Sequence, residues 1–321
     1  MSGYDYDRQR FLEFLDRTGH FDNPAHGEAY DVAKDRRTTL EKSDSAYVDA
    51  VKSYQESDAN VANLVRLMHG RELVVDGDAG DATIATANLP RCGVPEFSRD
   101  RQEGNAGQGW PLSGCDPNDD GNQRASIRIG IDTRGAPDHW LQDLPFCVET
   151  CERMALEMNI AATYTVVAEE LNPRDFEMRI TIGGISGPTI GWNYLPQPNT
   201  CGQSITGKLD SNYRAGRESK ATLCAHEHIG HGCGSDHTNG GVMNPSLLDV
   251  PLTFIGDPAE PWYRRVYGIP ETPTVPAYYT GKILTTPGTI LEIKDGRIVS
   301  ATSGTTPPPA PGGGGWFPAR Y

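Results

Sequence analysis

The spacing of apolar positions changes near residue 125 and divides the chain into a helical part and a mixed part. Within residues 4–70, apolar positions recur at the intervals that are typical of amphipathic helices. They form two stripes: Phe11, Leu12, Phe14 and Leu15, and then Val61, Leu64, Val65 and Met68. The pattern predicts a small helical domain over residues 1–88.

Beyond residue 125, strand periodicity and helix periodicity follow one another. Apolar and polar residues alternate, as in half-buried strands, in the segments 126–132, 163–168 and 176–182, and residues 205–210 are predicted as an edge strand. Helical spacing is found in residues 144–159 and 219–232, the second beginning at Ser219 as its N-cap. This order predicts an α/β (α+β) fold with a twisted mixed sheet over residues 125–268.

Three stretches are predicted to lie outside these two domains. Residues 98–124 are rich in Gly, Asp and Asn and predict an exposed linker, which is where proteolytic cleavage concentrates. The segment 269–305 contains strand-like residues between 277 and 302, with a turn at Asp295–Gly296, and predicts a small β-unit. Residues 306–321 form a Pro/Gly-rich tail.

Charge and composition restrict the partners of the chain. Its 321 residues carry a formal net charge of −14 and a pI near 5.0, which disfavours binding to nucleic acid and to anionic membranes. No apolar run reaches the roughly 18 residues of a membrane-spanning helix. The first residues lack the basic and apolar regions of a signal peptide. We therefore expect no nucleic-acid partner and no membrane insertion.

Residues 89–97 hold one cysteine in a stiff segment, which is called the strap below. Its sequence includes Leu89-Pro-Arg-Cys-Gly-Val-Pro-Glu96. Pro90 and Pro95 restrict their own φ angles and bias the residues before them toward extended backbone. Thiolates are strong zinc ligands, so Cys92 is a candidate metal ligand. We also expect Arg91 to pair with a carboxylate and hold the strap in place.

A second candidate metal-binding segment contains four histidines within residues 225–237. It reads Ala225-His-Glu-His-Ile-Gly-His-Gly-Cys-Gly-Ser-Asp-His237. A catalytic zinc needs three protein ligands and one open position for water. His231 lies on the predicted helix, Gly234 allows a sharp exit from it, and His237 can return to the same metal. His231 and His237 are therefore predicted zinc ligands.

The first half of this segment leaves three alternatives, because four residues rather than three separate His226 from His231. In the first, a one-residue π-bulge makes His226 the third ligand and Glu227 the general base. In the second, the helix stays regular, Glu227 is the third ligand and His228 is the base. In the third, the motif is degenerate and the protein is catalytically inactive.

These motifs resemble those of the matrixins, the matrix-metalloproteinase branch of the metzincin zinc proteases. The strap is similar to their cysteine switch, the histidine segment to their zinc helix, and Val242-Met-Asn-Pro245 to their Met-turn, with Met243 below the zinc. The resemblance implies a zinc-dependent endopeptidase made as a latent zymogen, in which Cys92 occupies the position of the catalytic water. It also implies protein or peptide substrates and a peptidoglycan-binding-like prodomain fold at residues 60–88.

The six cysteines other than Cys92 help to predict the cellular location of the protein. They are Cys115, Cys147, Cys151, Cys201, Cys224 and Cys233. Six cysteines can form three disulfides, with reduced core residues as the alternative. Because disulfides persist in oxidising compartments, we expect an extracellular or virion-associated location.

The absent leader and the Pro/Gly tail motivate a second candidate function, an inactive structural or binding protein of a virion or cell surface. Cell-wall association is a further expectation from fold analogy.

Two further kinds of metal site, a calcium loop and a structural zinc site, are not favoured by the sequence. A run of acidic and amide residues looks like a calcium loop but lacks the bidentate Glu of an EF-hand: Asp116, Asn118, Asp119 and Asp120. A solvated acidic turn is the favoured interpretation there, and calcium binding is the alternative. No histidine lies between residues 160 and 225, so we expect no structural zinc of the matrixin type.

Overall fold

A computed structural model shows how these segments are arranged. It describes residues 8–57, 61–62, 65–66, 70–97, 109–110, 125–196, 204–238, 240–246 and 252–268, and the backbone alone of four strands between 281 and 317. The buried apolar residues form two clusters, one drawn from residues 11–87 and one from residues 92–267. The predicted calcium loop lies outside the described residues.

The N-terminal cluster is built from short helices. They are α1 (Arg8–Arg17), α2 (Gly27–Tyr30), α3 (Ser45–Ser57) and α4 (Asp81–Ala87), with 3-10 turns at His20–Asp22 and Lys34–Thr39. The apolar stripe predicted for α1 is buried, and the Phe14 ring meets the Tyr54 ring of α3 edge to face at 5.1 Å. The strap follows α4 and contains the short strand β1 (Arg91–Cys92).

The second cluster surrounds a six-stranded mixed sheet. Its other strands are β2 (Ala125–Asp132), β3 (Ile160–Val167), β4 (Met178–Gly183), β5 (Thr189–Asn193) and β6 (Ile205–Asp210), and α5 (Asp138–Glu157) connects β2 to β3. The order across the sheet is β1-β5-β6-β4-β2-β3, and β5 runs antiparallel to β6 while the other pairs are parallel. The mixed α/β architecture agrees with the sequence prediction.

Two details of this sheet correct the sequence analysis. Residues 205–210 are an interior strand, not an edge strand, because β5 pairs with β6 on its outer side. The strand β5 was not predicted: it is only five residues long and contains Gly191, so it has too little alternation to be recognised. The strap then extends the sheet beyond β5.

Residues 217–233 form one continuous helical segment, called the histidine helix below. It begins as α6 (Arg217–Cys224), widens into a π-helix (Ala225–Gly230) and closes as a 3-10 turn (His231–Cys233). Its N-cap is Gly216 rather than the predicted Ser219, so the helix starts earlier than its apolar pattern indicates. It ends at Gly234, whose φ of 98° requires the left-handed conformation that glycine adopts freely.

The remaining elements lie near the C-terminus. Helix α7 (Glu260–Tyr267) ends at Gly268 and packs its buried tyrosines against the second cluster. A four-stranded sheet follows, in the order β10-β7-β8-β9, formed by β7 (Gly281–Thr285), β8 (Thr289–Lys294), β9 (Arg297–Ser303) and β10 (Trp316–Phe317). Residues 294 and 297 pair, as the predicted hairpin requires. The sheet also includes residues 316–317 of the predicted tail, so it reaches past the expected limit at residue 305.

The prediction of three disulfides is wrong, and the predicted exposed linker contains one buried residue among those described. Cys147, Cys151, Cys224 and Cys233 are free and buried, so three disulfides do not form; the thiols of Cys147 and Cys224 instead contact each other in the core. Cys115 and Cys201 lie outside the described residues. In the predicted linker, Trp110 is only 2% exposed, because its indole is packed into the second cluster. No described helix has the length and apolar character needed to cross a membrane.

Candidate metal centre

Four of the predicted ligands meet at one point between the strap and the histidine helix. The ligand atoms of Cys92, His226, His231 and His237 all lie within 4.8 Å of one another. The Nε2 atom of His231 lies 3.1 Å from Nε2 of His226 and 3.1 Å from Nε2 of His237. This Cys/His₃ group can hold a metal ion.

The π-helix brings His226 to this point. In a regular α-helix, residues five apart would differ by about 140° in direction, and His226 would face away from His231. Here the N–H of His231 is shared between the carbonyls of Glu227 and His226, so one wide turn absorbs the additional residue. The backbone therefore has the conformation of the first of the three sequence alternatives. Glu227 and His228 are not members of the converging group.

Backbone carbonyls orient two of the imidazoles. Nδ1 of His226 donates to the Val242 carbonyl at 2.6 Å, and Nδ1 of His231 donates to the Ser235 carbonyl at 2.9 Å. Because a carbonyl only accepts, each Nδ1 carries the hydrogen and each Nε2 presents a lone pair to the centre. Burial lowers the pKa of His226 to about 4, which keeps this ring neutral at physiological pH. Converging lone pairs repel each other unless a cation lies between them.

The strap is held on both sides of Cys92. The N–H of Cys92 donates to the Pro245 carbonyl at 2.9 Å, and the N–H of Gly93 donates to the Gly191 carbonyl at 2.7 Å. One partner belongs to the predicted Met-turn and the other to β5, so the strap joins these two segments. The predicted carboxylate partner of Arg91 is Glu96, which lies within the strap itself.

Glu227 lies beside the Cys92 thiol. Burial raises the pKa of Glu227 to about 8, and burial together with Glu227 raises the pKa of Cys92. Both groups are therefore held neutral by their surroundings. A cation among the four ligands would lower both pKa values and favour the thiolate and the ionised carboxylate. Two residues that the sequence analysis missed help to position Glu227: Gly191 leaves room for its carboxyl, and Asn193 holds its backbone. A Cβ at Gly191 would lie 3.1 Å from Oε1 of Glu227, and Nδ2 of Asn193 donates to the Glu227 carbonyl at 3.0 Å.

Met243 supports the histidine helix from below. Its side chain is fully buried, and a Cβ at Gly230 would lie 2.2 Å from its Sδ atom. The neighbouring N–H of Val242 donates to Oδ2 of Asp257 at 2.7 Å, which fixes the carbonyl that accepts from His226. The segment that contains Met243 therefore packs against the histidine helix at Gly230 and orients His226 through the Val242 carbonyl.

The donor set is suited to zinc. Imidazole nitrogen and thiolate sulfur are the ligands that zinc prefers, and three or four of them complete a tetrahedral site. The two outward-facing Nδ1 atoms already have carbonyl partners, as the second nitrogen of a metal-bound histidine does. The residues therefore fit a zinc ion held by His226, His231 and His237, with Cys92 in the fourth position.

Comparisons with known proteins give little further identification. No family model matches the chain, and no curated protein matches it. Among solved structures, the chain is similar to the crystal structure of metalloproteinase-II from Bacteroides fragilis, with a TM-score of 0.34 and 16% identity over 54% of this chain and 61% of that chain. The chain thus spans about three fifths of that structure. A likeness at this level identifies neither a family nor an activity.

Proposed function

We propose that the protein is a zinc-dependent endopeptidase of matrixin-like design, made in a latent form in which Cys92 occupies the fourth position on the metal. The observation that supports this most directly is the convergence of three imidazole Nε2 atoms and one thiol within 4.8 Å. A stretch of sequence more than 130 residues upstream supplies the thiol, which is the arrangement expected of a built-in inhibitor.

The chain provides the groups that peptide hydrolysis requires. Bound zinc would lower the pKa of a water molecule and polarise the scissile carbonyl. Glu227 is the proposed general base, because its carboxyl lies beside the Cys92 thiol and hence beside the position that water takes when the thiol leaves. It would accept the proton of that water and pass it to the leaving amine. His228 is not the proposed base, since its Nδ1 lies 3.3 Å from the Tyr164 hydroxyl on β3, whereas the Glu227 carboxyl lies beside the thiol.

Latency follows from what the strap covers. The Cys92 thiol fills the position that water needs, and β1 pairs with β5 along the edge where an extended peptide could add as a strand. The tether raises the effective concentration of the thiol to the millimolar range or above, so a modest intrinsic affinity is enough to hold it. The intact chain should therefore bind zinc and be inactive toward protein substrates.

The test compares the intact protein with single variants. Elemental analysis should find about one zinc per chain, and His231→Ala and His237→Ala should each lose it. Casein hydrolysis should be absent in the intact chain and should appear in Cys92→Ser, because a hydroxyl is a far poorer zinc ligand than a thiolate. Cys147→Ser is the matched control, since it removes a buried thiol that lies outside the converging group.

A third variant separates chemistry from metal binding. In a Cys92→Ser background, Glu227→Gln should keep zinc and reduce hydrolysis by roughly 10²- to 10⁴-fold, which is the usual contribution of a general base. Zinc binding without hydrolysis in any form of the chain would instead support the inactive structural or binding protein. Full zinc content in both histidine variants would show that the site assignment is wrong.

A further inference from the structure

The end of the histidine helix has an unusual set of backbone acceptors. The segment passes from a π-helix into a 3-10 turn and stops at Gly234, so its last carbonyls have no regular helical donors ahead of them. These carbonyls lie next to a proposed ligand, because Ile229, Gly232 and Cys233 surround His231 in sequence. Buried carbonyls need hydrogen-bond donors. Any donor to these three carbonyls also fixes the backbone around His231.

Three aromatic side chains provide these partners. The Tyr263 hydroxyl donates to the Ile229 carbonyl at 2.8 Å, and the Tyr267 hydroxyl donates to the Cys233 carbonyl at 2.5 Å. The indole N–H of Trp110 donates to the Gly232 carbonyl at 2.7 Å. The bonds join the histidine helix to two other parts of the chain, since two donors come from α7 and one from the segment after the strap.

The three donors are themselves fixed. All are buried, and Tyr263 and Tyr267 are one turn apart on α7 with their rings 6.2 Å apart. The backbone N–H of Trp110 donates to the Tyr267 hydroxyl at 3.0 Å, so the indole and this phenol hold each other in place. Rigid aromatic donors in a water-excluded core can therefore select one conformation of the helix end.

We propose that Trp110, Tyr263 and Tyr267 are positioning residues for the metal, and that they act through the backbone of His231. They form an aromatic cap on the histidine helix. The inference rests on the proposed function, because it takes His231 as a zinc ligand. A helix with one additional residue needs such a cap: the wide turn that brings His226 to the centre is held by contacts from outside the helix, and its own sequence does not specify it.

The experiment removes single donors from the full-length chain. Trp110→Phe and Tyr263→Phe remove the bonds to the Gly232 and Ile229 carbonyls. Tyr267→Phe removes both bonds of its hydroxyl, to the Cys233 carbonyl and from the Trp110 N–H. All three variants keep an aromatic ring. The matched control is Trp140→Phe, which removes an equally buried indole that donates to the Asp210 carbonyl at 3.0 Å. Its ring contacts the histidine helix at Lys220, which precedes the first proposed ligand by six residues. Zinc affinity is measured by competition with a chelator, and the visible absorption of the cobalt-loaded chain reports the coordination geometry. Thermal unfolding is followed for each variant.

We expect each cap variant to bind zinc about 10- to 100-fold more weakly, as is usual for changes to residues that orient metal ligands. The cobalt spectrum should shift in the cap variants, whereas Trp140→Phe should lose thermal stability with unchanged zinc affinity and an unchanged spectrum. If the cap variants behave like Trp140→Phe, the cap is merely structural and the proposal is wrong. Absence of zinc from the wild-type chain would overturn the proposed function and the cap together, so the two failures are distinguishable.

Discussion

His228 is the additional residue of the histidine helix, and its surroundings show why it is not a ligand. Its ring is buried, and Nδ1 lies 3.3 Å from the Tyr164 hydroxyl on β3, away from the converging imidazoles. Burial lowers the pKa of His228 to about 3. The side chain thus behaves as a neutral core residue that packs the helix against the sheet.

The neutral state of His228 predicts that the free energy of unfolding decreases in acid. The folded-state pKa of His228 is about 3 and the ordinary value is 6.5, so the unfolded chain binds an additional proton between these limits. Stability is therefore lost as the pH falls from 6.5 toward 3. In His228→Gln, the free energy of unfolding should depend less on pH in this window, as measured by urea unfolding followed by circular dichroism.

The pH dependence of the free energy of unfolding should not disappear in His228→Gln, because the lowered pKa of His226 acts in the same direction. His139→Gln is the control, since it removes a half-buried imidazole from a different helix. An unchanged slope in His228→Gln, or an equal change in His139→Gln, would contradict the assignment of acid sensitivity to this residue.

At the scale of elements, the contact between the π-helix and the segment that contains Met243 leaves no room for a further methyl group. A methyl group at Gly230 would overlap the Met243 sulfur, which lies 2.2 Å from the position of a Cβ. Gly230→Ala should lower the free energy of unfolding by about 1–3 kcal/mol, as overpacking a dense core does. It should also weaken zinc binding, because both elements carry or support the ligands.

The control for this change is Gly27→Ala, at the first position of α2, where a Cβ meets nothing within 4 Å. Urea unfolding and zinc competition report the two effects separately. If Gly230→Ala were as stable as Gly27→Ala and bound zinc as tightly as the wild type, the Met-turn would not support the histidine helix in the way described.

The same elements show what the sequence could predict. The positions of His231, Gly234 and His237 follow from short-range helix geometry, so their spacing was informative by itself. The participation of His226 depends on a wide turn that distant residues hold, so the sequence left three alternatives. Trp110 could not be found, because a single aromatic residue in a Gly-rich stretch gives no local sign of burial. The expected location outside the cell or on a virion, and the cell-wall association, stay predictions.

At the scale of the whole molecule, the strap contacts the N-terminal helices as well as the candidate metal centre. The guanidinium of Arg91 is buried above the rings of Phe14 and Tyr54, at 4.8 and 5.7 Å from their centroids, and it pairs with Glu96. Although burial acts to raise the pKa of Glu96, the neighbouring His20 and Arg91 hold it at about 2. This carboxylate is therefore ionised at any physiological pH.

Removal of Arg91 should loosen the strap. Breaking a buried ion pair costs about 3–5 kcal/mol, so Arg91→Ala should raise the alkylation rate of Cys92 in the zinc-bound chain by about 100-fold or more. The measurement is mass-spectrometric quantification of the alkylated peptide over time. Arg37→Ala is the matched control, because Arg37 is also buried and bridges Asp16 and Asp22 at 2.7 Å each. Equal alkylation in both variants would point to general loosening of the N-terminal helices.

The pairing of β1 with β5 also affects the behaviour of the protein in solution. While the strap is in place, it occupies the outer edge of β5, and the backbone groups there have partners. Once the strap leaves, that edge becomes a row of free N–H and C=O groups, which is a template for pairing with any extended chain, including a second copy of this protein. Under the proposed function, the form released from the strap should therefore be more prone to self-association than the form that keeps it, and an extended peptide ligand should keep it dispersed.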